Sequence, residues 1–167
     1  MTLAAAIPAQ LRGHHGFRIT GIPVPQGSKG ARVIKGRAQL FDTNATVLDA
    51  WRKHVRDTAI DQWRYTDTLT GPVRVWLWFA FPRYQSHYRT GRNETLLKDS
   101  APRYPTSHKL GDVDKLQRAV FDALTEAKVW TDDSLVVDVR ARKFWAGEHE
   151  YAPPEPGVDV ILQAVTD

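Results

Sequence analysis

A chain of 167 residues, 42% hydrophobic and 25% charged, suits one soluble globular domain and is too short for two of ordinary size. It has no cysteine, which excludes disulfides, thiolate metal sites and a cysteine nucleophile. The net charge of +4 is unevenly spread: Arg12 to Leu40 holds six Lys/Arg and no acid, whereas Phe144 to Asp167 holds five Asp/Glu and no Lys or Arg. Basic residues gathered in loops point to nucleic acid more strongly than net charge does.

No apolar run approaches the roughly 18 residues that span a bilayer, so no membrane association is expected. Met1 to Ile7 lacks a basic n-region and is soon broken by Pro8, so it is a poor signal peptide and a cytoplasmic location is expected. Residues 1–15 lack periodicity and are expected to be mobile. Phe17 to Ile22 reads as a strand ended by Pro23 and Pro25. A Gly- and Lys-rich stretch follows, read as a flexible basic loop with Lys29, Arg32, Lys35 and Arg37 as candidate phosphate contacts. Gly27-Ser28-Lys29 lacks the spaced glycine and the Gly-Lys-Ser/Thr order of a phosphate-cradling loop, so no nucleotide cofactor is expected.

Leu48, Trp51, Val55, Ala59 and Trp63 recur at helical spacing, with Thr43, Asn44 or Thr46 as the expected N-cap. Val73 to Phe81 is aromatic and β-branched between Gly71-Pro72 and Pro82, and predicts a strong strand. Residues 83–111 form a long polar loop with six Lys/Arg against two acids, including Arg89, Arg92 and Lys109, and with Tyr84, Tyr88 and Tyr104. A loop of that length in a compact domain is usually functional or disordered. Leu116, Ala119, Val120, Ala123, Leu124 and Ala127 predict a helix from about Asp114 to near Lys128, with Asp114 and Gln117 as a capping box. Strands are expected at Leu135 to Phe144 and at Val158 to Val165. The order β-α-β-loop-α-β-β predicts a single α/β (α+β) domain over 1–167, with a small mixed sheet and two main helices.

Six histidines occur without metal-ligand spacing, and no G-x-S-x-G is present. The acids are more informative. Asp112 and Asp114 are one residue apart where the long loop meets the helix, and in extended backbone their side chains would share a side. Asp132-Asp133 stand where that helix hands over to the next strand. If the chain doubles back, these carboxylates converge on the hard oxygen set that Mg²⁺ or Mn²⁺ takes. The same acids also suit a helix N-terminus and an ordinary polar turn.

The run Asp112-Val113-Asp114-Lys115-Leu116-Gln117-Arg118-Ala119-Val120-Phe121-Asp122-Ala123-Leu124, continuing to Val129-Trp130-Thr131-Asp132-Asp133, closely resembles the core of RusA-type Holliday-junction resolvases. Their pattern is a D-x-D-N-x-x-K helix, then D-A-L, then a V/F-W-x-D-D turn. Gly21-Ile22-Pro23-Val24-Pro25-Gln26-Gly27-Ser28-Lys29 also resembles the opening of phage-type members. The resemblance implies a homodimeric, Mg²⁺-dependent endonuclease, with Mn²⁺ substituting, that nicks opposed strands of four-way DNA junctions. It implies action in recombination and repair inside a bacterial or phage-infected cell. It makes Asp112, Asp114 and Asp133 the catalytic, metal-holding carboxylates, with Asp132 beside them. Arg118 stands where the family has Lys, Lys115 where it has Asn, and Lys128 where it has Gly.

Lys115, Arg118 and Asp122 share a helix face, so Asp122 is expected to orient either cation. Two-fold junction symmetry implies an isologous dimer, and Val73 to Phe81, apolar on both faces, is the expected contact. Two rival readings stay open: a non-catalytic binder of branched nucleic acid, and a metal nuclease for flaps or other branched DNA.

Overall fold

The aromatic run Val73–Phe81 becomes β4, an interior strand around which the rest is assembled. A computed structural model of the chain describes residues 14–27, 29–34, 37–42 and 45–165, and of 29–42 the backbone alone. Element order is β1 (His15–Thr20), β2 (Lys29–Ile34), β3 (Arg37–Asp42), α1 (Ala45–Trp63), β4, α2 (Val113–Glu126), β5 (Val136–Trp145) and β6 (Gly157–Ala164). The main sheet runs β1-β6-β4-β5, and β2 and β3 form a separate two-stranded ribbon. β4 pairs antiparallel with β6 and parallel with β5, so the sheet is mixed and the fold is α+β.

Alternation along β4 sends Val73, Val75, Leu77, Phe79 and Phe81 to the helical side, where all are buried. α1 meets them with Leu48, Trp51, Val55, Ala59 and Trp63, and α2 with Leu116, Ala119, Val120, Ala123 and Leu124. Arg52 of α1 reaches across to α2, at 2.7 Å from Glu126 and 3.6 Å from Asp122. The opposite face of β4 is covered too, but not by helices. Trp78 stacks on Tyr151 at 6.0 Å and meets Phe144 edge-on at 6.2 Å, with Ile161 beside them.

That packing corrects the expected dimer contact. β4 is flanked on both edges and Trp78 is covered by the chain's own segment after β5, which accounts for its second apolar face. Only Trp76 on that face stays half-buried.

Other expectations shift as well. The basic stretch around 29–37 is a β-hairpin rather than a flexible loop. Lys35 lies outside the described residues, as do residues 1–13, Thr43 and Asn44, while His15 already belongs to β1 and Thr46 lies inside α1. The segment 83–111 is not structureless: it holds short 3₁₀ turns at Gln85–His87, Gly91–Asn93 and His108–Leu110, and a bridge between Tyr88 and Leu97. Arg83 anchors it, bound to Glu148 at 2.5 Å and stacked 4.8 Å over Trp145.

The end of α2 shows why the related pattern carries glycine where this chain has Lys128. Val129 N–H donates to the Leu124 carbonyl and Lys128 N–H to the Thr125 carbonyl, both at 3.1 Å, which is a Schellman closure. That closure puts Lys128 in the left-handed region at φ 59°. Lys128→Gly is therefore expected to stabilise the fold by about 0.5–1 kcal/mol, read as a higher urea midpoint with an unchanged slope.

Candidate active site

The carboxylates are presented by the start of α2 and by the turn after its end. Asp112 is the N-cap residue with extended backbone, and its side chain makes no capping hydrogen bond. Asp114 lies in the first helical turn and is exposed. This replaces the expected geometry: the two acids are not alternate residues of an extended segment, and Asp114 with Gln117 is not a capping box. They occupy successive sites at a helix N-terminus, where the macrodipole and unpaired N–H groups favour negative charge.

Asp133 reaches α2 because the chain reverses tightly. Trp130 is fully buried, donates from Nε1 to Thr125 Oγ1 at 2.6 Å and packs edge-on against Phe121. Leu69 grips the same segment, donating to the Val129 carbonyl and accepting from Thr131. The 3₁₀ turn Asp133–Leu135 follows at once. Asp132 is committed to capping that turn, accepting from Ser134 N–H at 2.9 Å, and hydrogen bonding from the Ser134 side chain and then from that N–H holds its carboxyl below the usual range. Asp133 is exposed, and its backbone carbonyl accepts from Val136 N–H. Its charge is felt at Asp122, whose carboxyl is pushed up chiefly by burial, with Arg52 opposing and Asp133 adding to the rise.

Along α2 the acids do not gather in one knot. Asp112 and Asp114 stand at its start. Asp122, which answers Asp133, lies two turns on, about 12 Å along the axis from Asp114 at 1.5 Å per residue. Among the described residues, no group of three or more His, Cys, Asp or Glu is placed to hold a metal ion. The donor chemistry nevertheless fits Mg²⁺, which commonly takes one or two carboxylates and leaves its other positions to water and substrate phosphate. Asp112 and Asp114 are the pair that would hold it.

The cations divide the same way. Lys115 pairs with Asp112 at 3.4 Å rather than with Asp122. Asp122 faces Arg52 and feels Arg118, which is exposed. Lys143 of β5 was not read from the sequence as part of the site, yet it donates to the Gly111 carbonyl at 2.9 Å. Burial lowers its pKa, while Asp112 pulls it back up. One signal could have exposed it. On β5, Ala141 and Trp145 face the helices, so a lysine between them is an anomaly.

Of the expected phosphate contacts, Lys29, Arg32 and Arg37 are carried by the β2–β3 hairpin. Arg92 and Lys109 are exposed, and Lys109 sits three residues before Asp112. Arg89 is engaged instead, bonded to Asp99 at 2.9 Å and to the Leu97 carbonyl at 3.1 Å. Tyr84 packs against Trp145 and His87, whereas Tyr104 is exposed.

The chain is similar to several known proteins. The endodeoxyribonuclease RusA family matches residues 21–151. A crossover junction endodeoxyribonuclease RusA of Escherichia coli O139:H28 is 62% identical over 32 residues, 19% of this chain and 27% of that protein. Its counterpart in strain K12 is 59% identical over 32 residues. The chain therefore aligns with about a quarter of the length of these curated relatives. The YqaN protein of Bacillus subtilis strain 168 is 27% identical over 150 residues, 90% of this chain and 96% of that protein. No helix among the described residues is long and apolar enough to cross a membrane. The family match runs from the end of β1 through α2 and β5, taking in every carboxylate considered above, and on that span the chain belongs to the RusA family of endodeoxyribonucleases.

Proposed function

We propose that this protein is a divalent-metal-dependent endonuclease that resolves four-way DNA junctions by paired nicks in opposed strands. It would act in recombination and repair in the cytoplasm of a bacterial or phage-infected cell. The observation that carries the reading is the acid pair Asp112 and Asp114 at the start of α2, in a chain that belongs to an endodeoxyribonuclease family. The relatives named for crossover junctions support the choice of substrate.

Asp112 and Asp114 would hold Mg²⁺, with Mn²⁺ able to replace it. The bound ion supplies a water of lowered pKa and relief of charge on the phosphate oxygens. Asp133, on the 3₁₀ turn Asp133–Leu135 beyond the end of α2, would be the third carboxylate of the reaction. Arg118, exposed on the helix between the two acid groups, would place positive charge where the phosphorane develops it. Lys115 holds Asp112 in place through its ion pair. The hairpin cations Lys29, Arg32 and Arg37, with Arg92 and Lys109, would grip backbone phosphates away from the cut and set the salt dependence of binding.

Two opposed nicks call for two sites related by a dyad, so the active species is a homodimer. The test is cleavage of a labelled four-way junction beside linear duplex, flap and fork, with Mg²⁺ and with EDTA. Mg²⁺-dependent, symmetric nicks confined to the junction are expected. Preferential flap cleavage would move the protein to the flap nucleases, and tight binding without any cleavage would make it a structural binder. Sedimentation at micromolar concentration is expected to show a species of twice 18.9 kDa.

A further inference from the structure

We infer that Lys143 is a positioning residue for this reaction: from the sheet, it holds the turn that presents Asp112. The inference rests on the proposed nuclease reading and assigns a role to a residue outside the Asp-x-Asp helix.

Lys143 lies on β5 opposite Phe79, on the face that carries Val75, Leu77, Ala141 and Trp145 toward the helices. A lysine in that row costs free energy unless its ammonium finds partners. Its Nζ donates to the carbonyl of Gly111, the residue directly before Asp112. That carbonyl belongs to a backbone only glycine adopts readily, at φ 76° and ψ 166°.

Two further contacts hold the same turn. A methyl group on Gly111 would lie 2.4 Å from Pro25 Cβ, so the segment after β1 is pressed directly onto it. Gln26 N–H donates to the Lys115 carbonyl at 3.0 Å. The first turn of α2 is thus braced on one side by residues 25–26 and on the other by Lys143. Of these contacts, Lys143 alone brings a positive charge from a strand, and a strand is stiffer than a loop. A carboxylate that must meet a metal or a phosphate needs its backbone held within about 0.5 Å, and this is what an anchor on the preceding carbonyl provides.

The absence of cysteine from the chain allows a chemical test. Lys143→Cys offers a unique thiol. Aminoethylation of that thiol rebuilds an ammonium on a chain of nearly lysine length, and carboxamidomethylation gives a neutral control of similar size. Four readouts are taken on wild type, on the unmodified variant and on its two alkylated forms. These are junction nicking under single turnover, junction affinity, thermal midpoint, and amide hydrogen exchange over residues 108–116.

A positioning role predicts that Lys143→Cys slows nicking by about 30-fold while affinity stays within about threefold. Exchange should rise over residues 108–116 and not over β4 or β6. Aminoethylation should restore both rate and protection, and carboxamidomethylation neither. Lys143→Arg, which keeps charge and donors, should nick within about fivefold of wild type. If Lys143→Cys folds poorly, the comparison of the two alkylated forms decides, since they differ in charge and hydrogen bonding far more than in bulk. Equal rates in those two forms would overturn the inference. So would an affinity that falls in step with the rate, which would make Lys143 a phosphate contact. Wild-type protein that cuts no junction would instead defeat the nuclease reading, while the exchange pattern would still report on the brace.

Discussion

Asn in place of Asp112, Asp114 or Asp133 is expected to lower junction nicking by about a thousandfold or more, with junction affinity equal to or tighter than wild type. An amide keeps the shape of the carboxyl but loses the charge that attracts a metal or polarises a water. It also removes repulsion of phosphate, which is why binding should not suffer. All three side chains are exposed, so little folding energy rides on the change. Asp132→Asn is the internal control. Asp132 caps the turn Asp133–Leu135, and Asn caps about as well as Asp. That variant should keep most of its activity. Single-turnover cleavage with gel-shift affinities measures both quantities. A variant at Asp112, Asp114 or Asp133 that nicks at the wild-type rate would remove its residue from the chemistry.

The second large effect concerns stability and lies on the sheet face away from the helices. Arg18 of β1 and Asp159 of β6 are cross-strand partners joined by two bonds of 2.6 and 2.7 Å, and Asp159 is only 4% exposed. Burial pushes the Asp159 carboxyl above the usual range, and the bond from Arg18 opposes that rise. Arg18→Met leaves a buried carboxylate without its cation and should destabilise the fold by about 3–5 kcal/mol at neutral pH.

The loss should depend on pH with a definite sign. Without Arg18 the folded-state pKa of Asp159 rises further above its unfolded value near 3.9. The folded variant then binds the proton more readily than the unfolded chain. Its stability is poorest above that raised pKa and recovers as pH falls through it toward the ordinary carboxylate range. Urea midpoints at pH 7 and pH 5 should therefore lie closer to wild type at the lower pH. Adding Asp159→Leu to Arg18→Met should restore most of the stability at pH 7, because no charge is then left buried. A deficit in Arg18→Met that is constant with pH would mean that lost packing, and not the stranded carboxylate, causes it.

Much of the site was legible because it is local. Asp112 and Asp114 sit one residue apart, and Asp133 follows one helix and one buried Trp-containing turn later. Short-range pattern therefore places all three near α2. The apolar spacing of α2 and the aromatic alternation of Val73–Phe81 were just as clear, since most of the apolar side chains there are buried. The β2–β3 hairpin was not legible. Lys-Gly-Ala-Arg-Val-Ile has little period-two alternation, and its ribbon is not part of the main sheet. The N-cap was misassigned by two residues because Asp112 and Asp114 are equally good capping types, and only the backbone distinguishes them.

The amino-acid sequence alone therefore determined the two helices and the strands of the main sheet, their order and the acids that α2 carries, because those follow from periodicity and neighbouring residues. The tertiary structure decided what those acids meet. It set Lys143 against the carbonyl before Asp112, pressed Pro25 onto Gly111, gave Asp122 to Arg52 and withdrew Asp132 into a cap. It also joined Arg18 to Asp159 across 141 residues and covered Trp78 with Tyr151, closing a face that its apolar pattern had suggested for a partner. These contacts depend on strand register and on which segment folds over which face. Neither leaves a mark in local sequence, because a charged or aromatic residue looks the same whether its partner lies three positions away or on another strand.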